Sequence, residues 1–320
     1  MIHCQKKASS MKPKIALVTG AYGTIGRYVS LALVAQNWQV MGIGHGKWSA
    51  EDRRAWGLSS WIESDVSLGH LRALNVQPAL VVHCAGSGTV GASIAEPHED
   101  FQRSVATTAA VLEFIRVDCP DAALIYPSSA AVYGITDCLP IGEGLSLLPV
   151  SIYGVHKKIT EELIAEHSRL FGLKTAVVRL FSIYGEGFRK QLLWDACQRI
   201  LTNESVFFGT GDETRDWLHA SDAAELLAKA ADHASSNCPI VNGGYGESVS
   251  VRHLLKELFR LMGREDLPSF FGTQRQGDPL HYLADIKLAM AWGWEPEITW
   301  QSGLARYVAW FKREHGLCGE

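Results

Sequence analysis

Short, continuously apolar runs recur along the first half of the chain, and stretches with helical apolar spacing separate them. The runs at 14–19, 39–43, 60–63, 79–83, 122–126 and 175–180 predict strands. Helical periodicity over 24–37, 68–74, 98–117 and 151–171 fills the intervals. Strands without polar alternation, separated by helices, belong in a parallel sheet covered on both faces. Right-handed crossovers then give an α/β, doubly wound parallel sheet of the Rossmann type.

Past residue 180 the pattern loosens. Glycines and prolines gather at 184–187, 209–211, 243–246 and 263–268, with short helices predicted at 191–201, 222–232, 251–262 and 303–313. These stretches read as a smaller C-terminal α+β lobe made of 183–216 and 246–320. The sheet domain is expected from 13–182 with 217–245, the chain returning to the sheet through 239–242. Residues 1–12 read as a loose tail, with Met11 an alternative start.

The bulk numbers narrow the partners. The chain has 320 residues, 20% of them charged, and a formal net charge of -4, so neither nucleic acid nor a membrane surface is expected as the main partner. No apolar run approaches the ~18 residues of a membrane span. The apolar run at 15–18 is too short for a signal-peptide core. The 7 cysteines are widely spaced and lack zinc-site spacing, which fits reduced thiols in a cytoplasmic protein and no metal.

Between the first strand and first helix stands Thr19-Gly20-Ala21-Tyr22-Gly23-Thr24-Ile25-Gly26. Glycines permit a sharp turn and close approach of a pyrophosphate, and the following helix N-terminus offers free N–H groups. In this strand–turn–helix context the motif points to a dinucleotide. The second strand ends at Gly44 rather than at a carboxylate, and His45 and Lys47 follow. Without an acidic side chain to repel a 2′-phosphate, the loop leans toward NADP over NAD, unless both side chains are simply solvated. Asp65 stands where an adenine amino group could be accepted, or where a helix could be capped.

Tyr153 and Lys157 are four residues apart, on one face of the 151–171 helix. Ser128 and Ser129 end the fifth strand, on the sheet edge where such folds bind ligands. A phenol is a poor base near neutral pH, and an ammonium one turn away favours its ionised form. Tyr153 is thus the candidate base for a sugar hydroxyl losing hydride from its carbon, with Ser129 hydrogen-bonding that oxygen. Lys157 would also hold the nicotinamide ribose.

The chain resembles the extended short-chain dehydrogenase/reductase family, in particular its NAD-dependent epimerase/dehydratase group. The resemblance runs from Ile15 to about Trp310. It is carried by the two motifs above together with Val82-His83-Cys84-Ala85-Gly86, Pro127-Ser128-Ser129-Ala130-Ala131-Val132-Tyr133-Gly134, Val178-Arg179-Leu180-Phe181-Ser182-Ile183-Tyr184-Gly185, Arg215-Asp216-Trp217-Leu218-His219 and Arg275-Gln276-Gly277-Asp278. It implies a catalytic set of Ser129, Tyr153 and Lys157. It implies cofactor contacts from Gly20, Gly23, Thr24, Ile25, Gly26, His45, Asp65, Val66, Cys84, Ala85, Gly86, Ser104, Tyr153, Lys157 and Phe181. Substrate contacts would come from Ser128, Ser129, Ser182, Arg215 and Arg275, the two arginines clamping a nucleotide diphosphate.

Ala130 and Ala131 stand where sugar dehydratases of this group carry an Asp-Glu pair, so elimination of water is not expected. Ser182 and Ser104 replace asparagines of the family pattern. The leading expectation is a nucleotide-sugar epimerase acting at C4, as on UDP-glucose. The alternative is an NADPH-dependent reductase of a 4-keto-6-deoxy nucleotide sugar, and a lesser one is a non-catalytic dinucleotide sensor. The family also implies a homodimer through the 98–117 and 151–171 helices.

Overall fold

A computed structural model describes residues 14–272 and 280–317. Its frame is a seven-stranded parallel sheet. The strands are β1 (Ile15–Thr19), β2 (Gln39–Gly44), β3 (Leu58–Glu63), β4 (Leu80–His83), β5 (Ala123–Ser129) and β6 (Lys174–Leu180). After β7 (Ser182–Tyr184), β8 (Val206–Phe207) and β9 (Thr214–His219), which lie elsewhere, β10 (Ile240–Gly243) completes it. The spatial order is β10-β6-β5-β4-β1-β2-β3, all neighbours parallel. The order reverses between β1 and β4, and at such a switch point the strand ends part to leave a crevice.

Helices α1 (Thr24–Ala35), α2 (Ala50–Ala55), α3 (Leu68–Ala73), α4 (Val90–Ala95), α5 (Pro97–Phe101), α6 (Thr107–Asp118), α7 (Ile152–Phe171), α8 (Gln191–Leu201) and α9 (Ala220–Ala230) follow in chain order. Alternate residues of β1 feed opposite cores. Ala16 and Val18 pack with Val29 and Leu33 of α1 and Leu227 of α9. Leu17 packs with Leu112 and Ile115 of α6 and Ile164 of α7. Each fully buried Val, Leu or Ile side chain among these stabilises the sheet by about 1.5–3 kcal/mol.

The 98–117 segment is not the single helix its periodicity predicts. Pro97 starts α5, residues 102–106 form a π turn, and α6 follows. Thr107 and Thr108 donate their hydroxyls to the carbonyls of Arg103 and Ser104 at 2.6 and 2.7 Å, supplying partners where the widened turn disturbs the regular ladder.

The remaining elements are β11 (Ser248–Ser250), α10 (Val251–Met262), β12 (Ser269–Phe270), α11 (Lys287–Ala291) and α12 (Trp300–Glu314). Here β7, β9 and β11 make one small sheet, and β8 with β12 another. Asp216 in β9 is buried and accepts backbone N–H bonds from Tyr245, Gly246 and Ala284 at 2.5, 3.0 and 3.0 Å. Burial outweighs these donors and pushes its carboxyl up to about 6. Tyr282 reaches back to the carbonyls of Ala130 and Gly134, at 3.2 and 3.0 Å. No helix among the described residues is long and apolar enough to cross a membrane.

Candidate active site

A cleft of about 880 Å³ opens at the C-terminal ends of β1, β4, β5 and β6 and runs out between the small sheets and α8. Its floor is the glycine turn. Gly20 has φ 67°, and a Cβ there would lie 2.6 Å from the backbone nitrogen of Ala85. Any side chain would therefore displace β4 from the turn. Gly23 is the N-cap of α1 and has no capping side chain, so the first-turn N–H groups lack a side-chain acceptor. Gly20, Gly23, Thr24, Ile25 and Gly26 all line the cleft, as do Cys84 and Gly86 opposite. This cradle fits the pyrophosphate of a dinucleotide.

A buried hydrogen-bond chain fixes the β4 side of that floor. Thr19 accepts the N–H of Ala85 at 3.2 Å and meets Nδ1 of His83 at 2.6 Å. Nε2 of His83 meets Thr108 at 3.1 Å, and Thr108 donates to Ser104. These bonds are all satisfied when His83 is neutral with its proton on Nε2. Burial, aided by the Lys157 charge, pushes His83 down to about 3. Ser104 itself is buried and accepts the N–H of Ser87 at 3.3 Å, so its hydroxyl shapes the 86–89 loop rather than lining the cleft.

The reacting set meets on the cleft wall. Ser129 ends β5 with its hydroxyl accepting the N–H of Ala131 at 3.2 Å. Tyr153 is half-buried one residue into α7, whose N-cap Ser151 accepts from Gly154 at 3.1 Å. The N–H of Tyr153, one of the helix's orphan donors, is taken by Ser93 of α4 at 3.0 Å. Lys157 is buried and donates to the hydroxyl of Tyr126 and the carbonyl of Pro127, at 3.0 and 2.9 Å. Its nitrogen lies 5.8 Å from the Tyr153 ring centre. The lysine is thus anchored on β5, and its charge faces Tyr153 through space. Ser129, Tyr153 and Lys157 all line the cleft.

Gly154 sets their spacing. A Cβ there would stand 2.5 Å from the carbonyl oxygen of Ala131, so α7 presses directly on the backbone after Ser129. Gly154→Ala forces the two segments apart. Turnover in this cleft should then fall on the order of 10- to 100-fold, since misplacement by a fraction of an ångström weakens catalysis steeply. Steady-state kinetics beside a thermal unfolding curve checks this.

Ser128 also lines the cleft, with its hydroxyl donating to Glu161 at 2.5 Å inside the protein. Glu161 is paired with Arg179 at 2.8 Å, both side chains at most 4% exposed. Arg179 also donates to Tyr133 and to the Glu143 carbonyl, and Tyr133 donates to Asn242. This network joins β5, β6, β10 and α7 from below.

His45 and Asp65 meet each other at 2.6 Å, both exposed beyond the cleft outline at the ends of β2 and β3. The pairing sets a carboxylate beside the loop read as open to a 2′-phosphate. The capping role for Asp65 falls instead to Ser67, which accepts from His70. Val66 is buried beside the Leu17 and Ile43 core. Ala85 contributes its N–H to Thr19, as above. Phe181, Ser182 and Arg215 line the outer cleft, Arg215 donating to the carbonyls of Thr214 and Leu280. Arg275 lies outside the described residues. The sequence reading missed Phe208, Lys190 and Gln191, which line the same cleft. One signal was available: Lys190 precedes a predicted helix start.

A glycine turn and a Ser–Tyr–Lys wall on one switch-point cleft define a dinucleotide-dependent enzyme of the Rossmann class. The profile of the NAD dependent epimerase/dehydratase family matches residues 16–244, and the chain belongs to that family. A putative UDP-glucose 4-epimerase of Methanocaldococcus jannaschii is 29% identical over 93% of this chain and 99% of its own length. The UDP-glucose 4-epimerase of Azospirillum brasilense is 28% identical over 95% of this chain and 93% of its own. Among solved structures, the UDP-glucose 4-epimerase of Thermotoga maritima with UDP-glucose aligns with TM-score 0.85 and 25% identity, covering 94% of this chain and 99% of that one. MoeE5 in complex with UDP-glucose and NAD aligns with TM-score 0.83 and 26% identity over the same shares.

Proposed function

We propose that the protein is a nucleotide-sugar 4-epimerase that works with a tightly held nicotinamide dinucleotide. The observation that carries this is the convergence of Ser129, Tyr153 and Lys157 on the wall above the glycine turn. The bound nicotinamide supplies the hydride acceptor and donor. Tyr153 takes the proton of the C4 hydroxyl and later returns one to the same oxygen. Ser129 hydrogen-bonds that oxygen, and Lys157 favours the ionised phenol by its charge. Ala130 and Ala131, in a 3-10 turn beyond Ser129, offer no acid or base for eliminating water.

The second lobe, 183–216 with 246–320, is the nucleotide-sugar holder in this reading. Arg215 serves the diphosphate there and Ser182 the sugar side. Uridine is the base we favour, because the relatives above are named for UDP-glucose. NAD is the cofactor we favour. The lean toward NADP rests on His45 and Lys47, and the Asp65 carboxylate beside His45 opposes a 2′-phosphate. MoeE5, with a comparable fold, was captured with NAD. The partly exposed helices α6 and α7 are the faces for a homodimer, and a cytoplasmic setting suits the free cysteines.

The test is conversion of UDP-glucose without added dinucleotide. The expected outcome is an equilibrium mixture of C4 epimers, with NAD(H) released on denaturing the purified protein. Stoichiometric consumption of NADPH by a keto sugar would establish the reductase instead.

A further inference from the structure

Lys190 is a cation of the cleft that the Ser–Tyr–Lys chemistry does not use. It stands at the N-cap of α8, in the second lobe, and lines the cleft. Its ammonium lies against the opposite wall: a Cβ built on Gly88 would be only 2.8 Å from Nζ. Gly88 belongs to the loop after β4 that flanks the glycine turn. The loop leading to Lys190 also reaches the turn, since a Cβ on Gly187 would touch the Thr24 methyl at 3.9 Å. So the lysine reaches from the second lobe to the loop beside the phosphate floor.

Two further features mark the position. Among the described residues the Lys190 ammonium has no hydrogen-bond or ion-pair partner. The side chain is accessible, yet the cleft walls strip enough water to lower its pKa, and desolvation is the sole cause. A cation left without a counter-charge in a narrowed site is completed by an anion. Next to it Gln191 holds φ 67° as a non-glycine residue, a left-handed conformation that costs energy and recurs at ligand clamps.

We propose that Lys190 binds a diphosphate oxyanion across the cleft. The cofactor's pyrophosphate is the favoured source, because the Gly88 loop beside the ammonium and the Gly187 loop that leads to the lysine both border the glycine turn. The diphosphate of the nucleotide sugar shares the chemistry and is the other source. A clamp from the far lobe onto the cofactor suits an enzyme that keeps its dinucleotide through the catalytic cycle. This inference rests on the epimerase reading for its ligands, but it is measured by binding and not by turnover.

Lys190→Met keeps the aliphatic stem and removes the charge. Two measurements on full-length, NAD-loaded protein separate the sources: the exchange rate of bound NAD+ against free NAD+, and the Kd for UDP. A charged hydrogen bond of about 1.5–3 kcal/mol corresponds to a change of roughly tenfold or more. A rise of that size in NAD+ exchange assigns the anion to the cofactor, and the same loss in UDP affinity assigns it to the sugar nucleotide. Lys190→Arg should recover most of either change, which a purely packing role would not. If both quantities in Lys190→Met stay within twofold of the parent, with the thermal midpoint unchanged, the assignment is overturned. Failure of the epimerase reading shows separately, as absence of sugar interconversion by the parent protein.

Discussion

Tyr153→Phe should lower turnover of the nucleotide sugar by about 10²- to 10⁴-fold, the usual contribution of a positioned acid–base group. The ring of Tyr153 stays, so packing at the start of α7 is kept. Its N–H bond to Ser93 is a backbone bond and survives the substitution. NAD+ content of the purified variant should match the parent, because the glycine turn and the Lys157 anchor on Tyr126 and Pro127 are untouched. Single-turnover kinetics with quantified NAD(H) checks both halves. Parent-like turnover would remove the phenol from the mechanism.

Arg179→Met should destabilise the fold by about 3–5 kcal/mol, the size seen when one partner of a buried ion pair is lost. Glu161 would keep only the Ser128 hydroxyl, with its carboxylate still sealed between β5, β6 and α7. Tyr133 and the Glu143 carbonyl would also lose a donor. Urea denaturation of the variant measures the loss. The double variant Arg179→Met/Glu161→Gln should regain part of it, because no uncompensated charge is then buried. A single variant as stable as the parent would show that the network adds nothing to the sheet.

How much of this was legible in the sequence depends on the range of the forces involved. The turn from Thr19 to Gly26 is local: apolar run, glycines and helical periodicity follow one another, and the structure repeats that order. The Ser128/Ser129 choice was also within reach. Side chains alternate along a strand, so the hydroxyls of two neighbouring serines point to opposite sides. The Ser128 hydroxyl turns to Glu161, which leaves Ser129 as the hydroxyl free of that buried pair. The break in 98–117 was not legible, because a π turn keeps the helical composition and adds only one residue to the register. Nor was the His45–Asp65 contact, which joins the ends of two strands 20 residues apart. The short strands of the second lobe carry two to six residues each, too few for a period to show.

Asp216 and Tyr282 stitch the two halves of the molecule at separate points, one through the Tyr245 main-chain donor and the other through two carbonyls. A swinging motion of one half would tear several of these stitches together. If the proposed sugar binds here, these ties favour a hollow that keeps its dimensions around it. Space for the ring to present first one side and then the other has to be built in from the start, and what enters is screened by the fixed outline of the doorway.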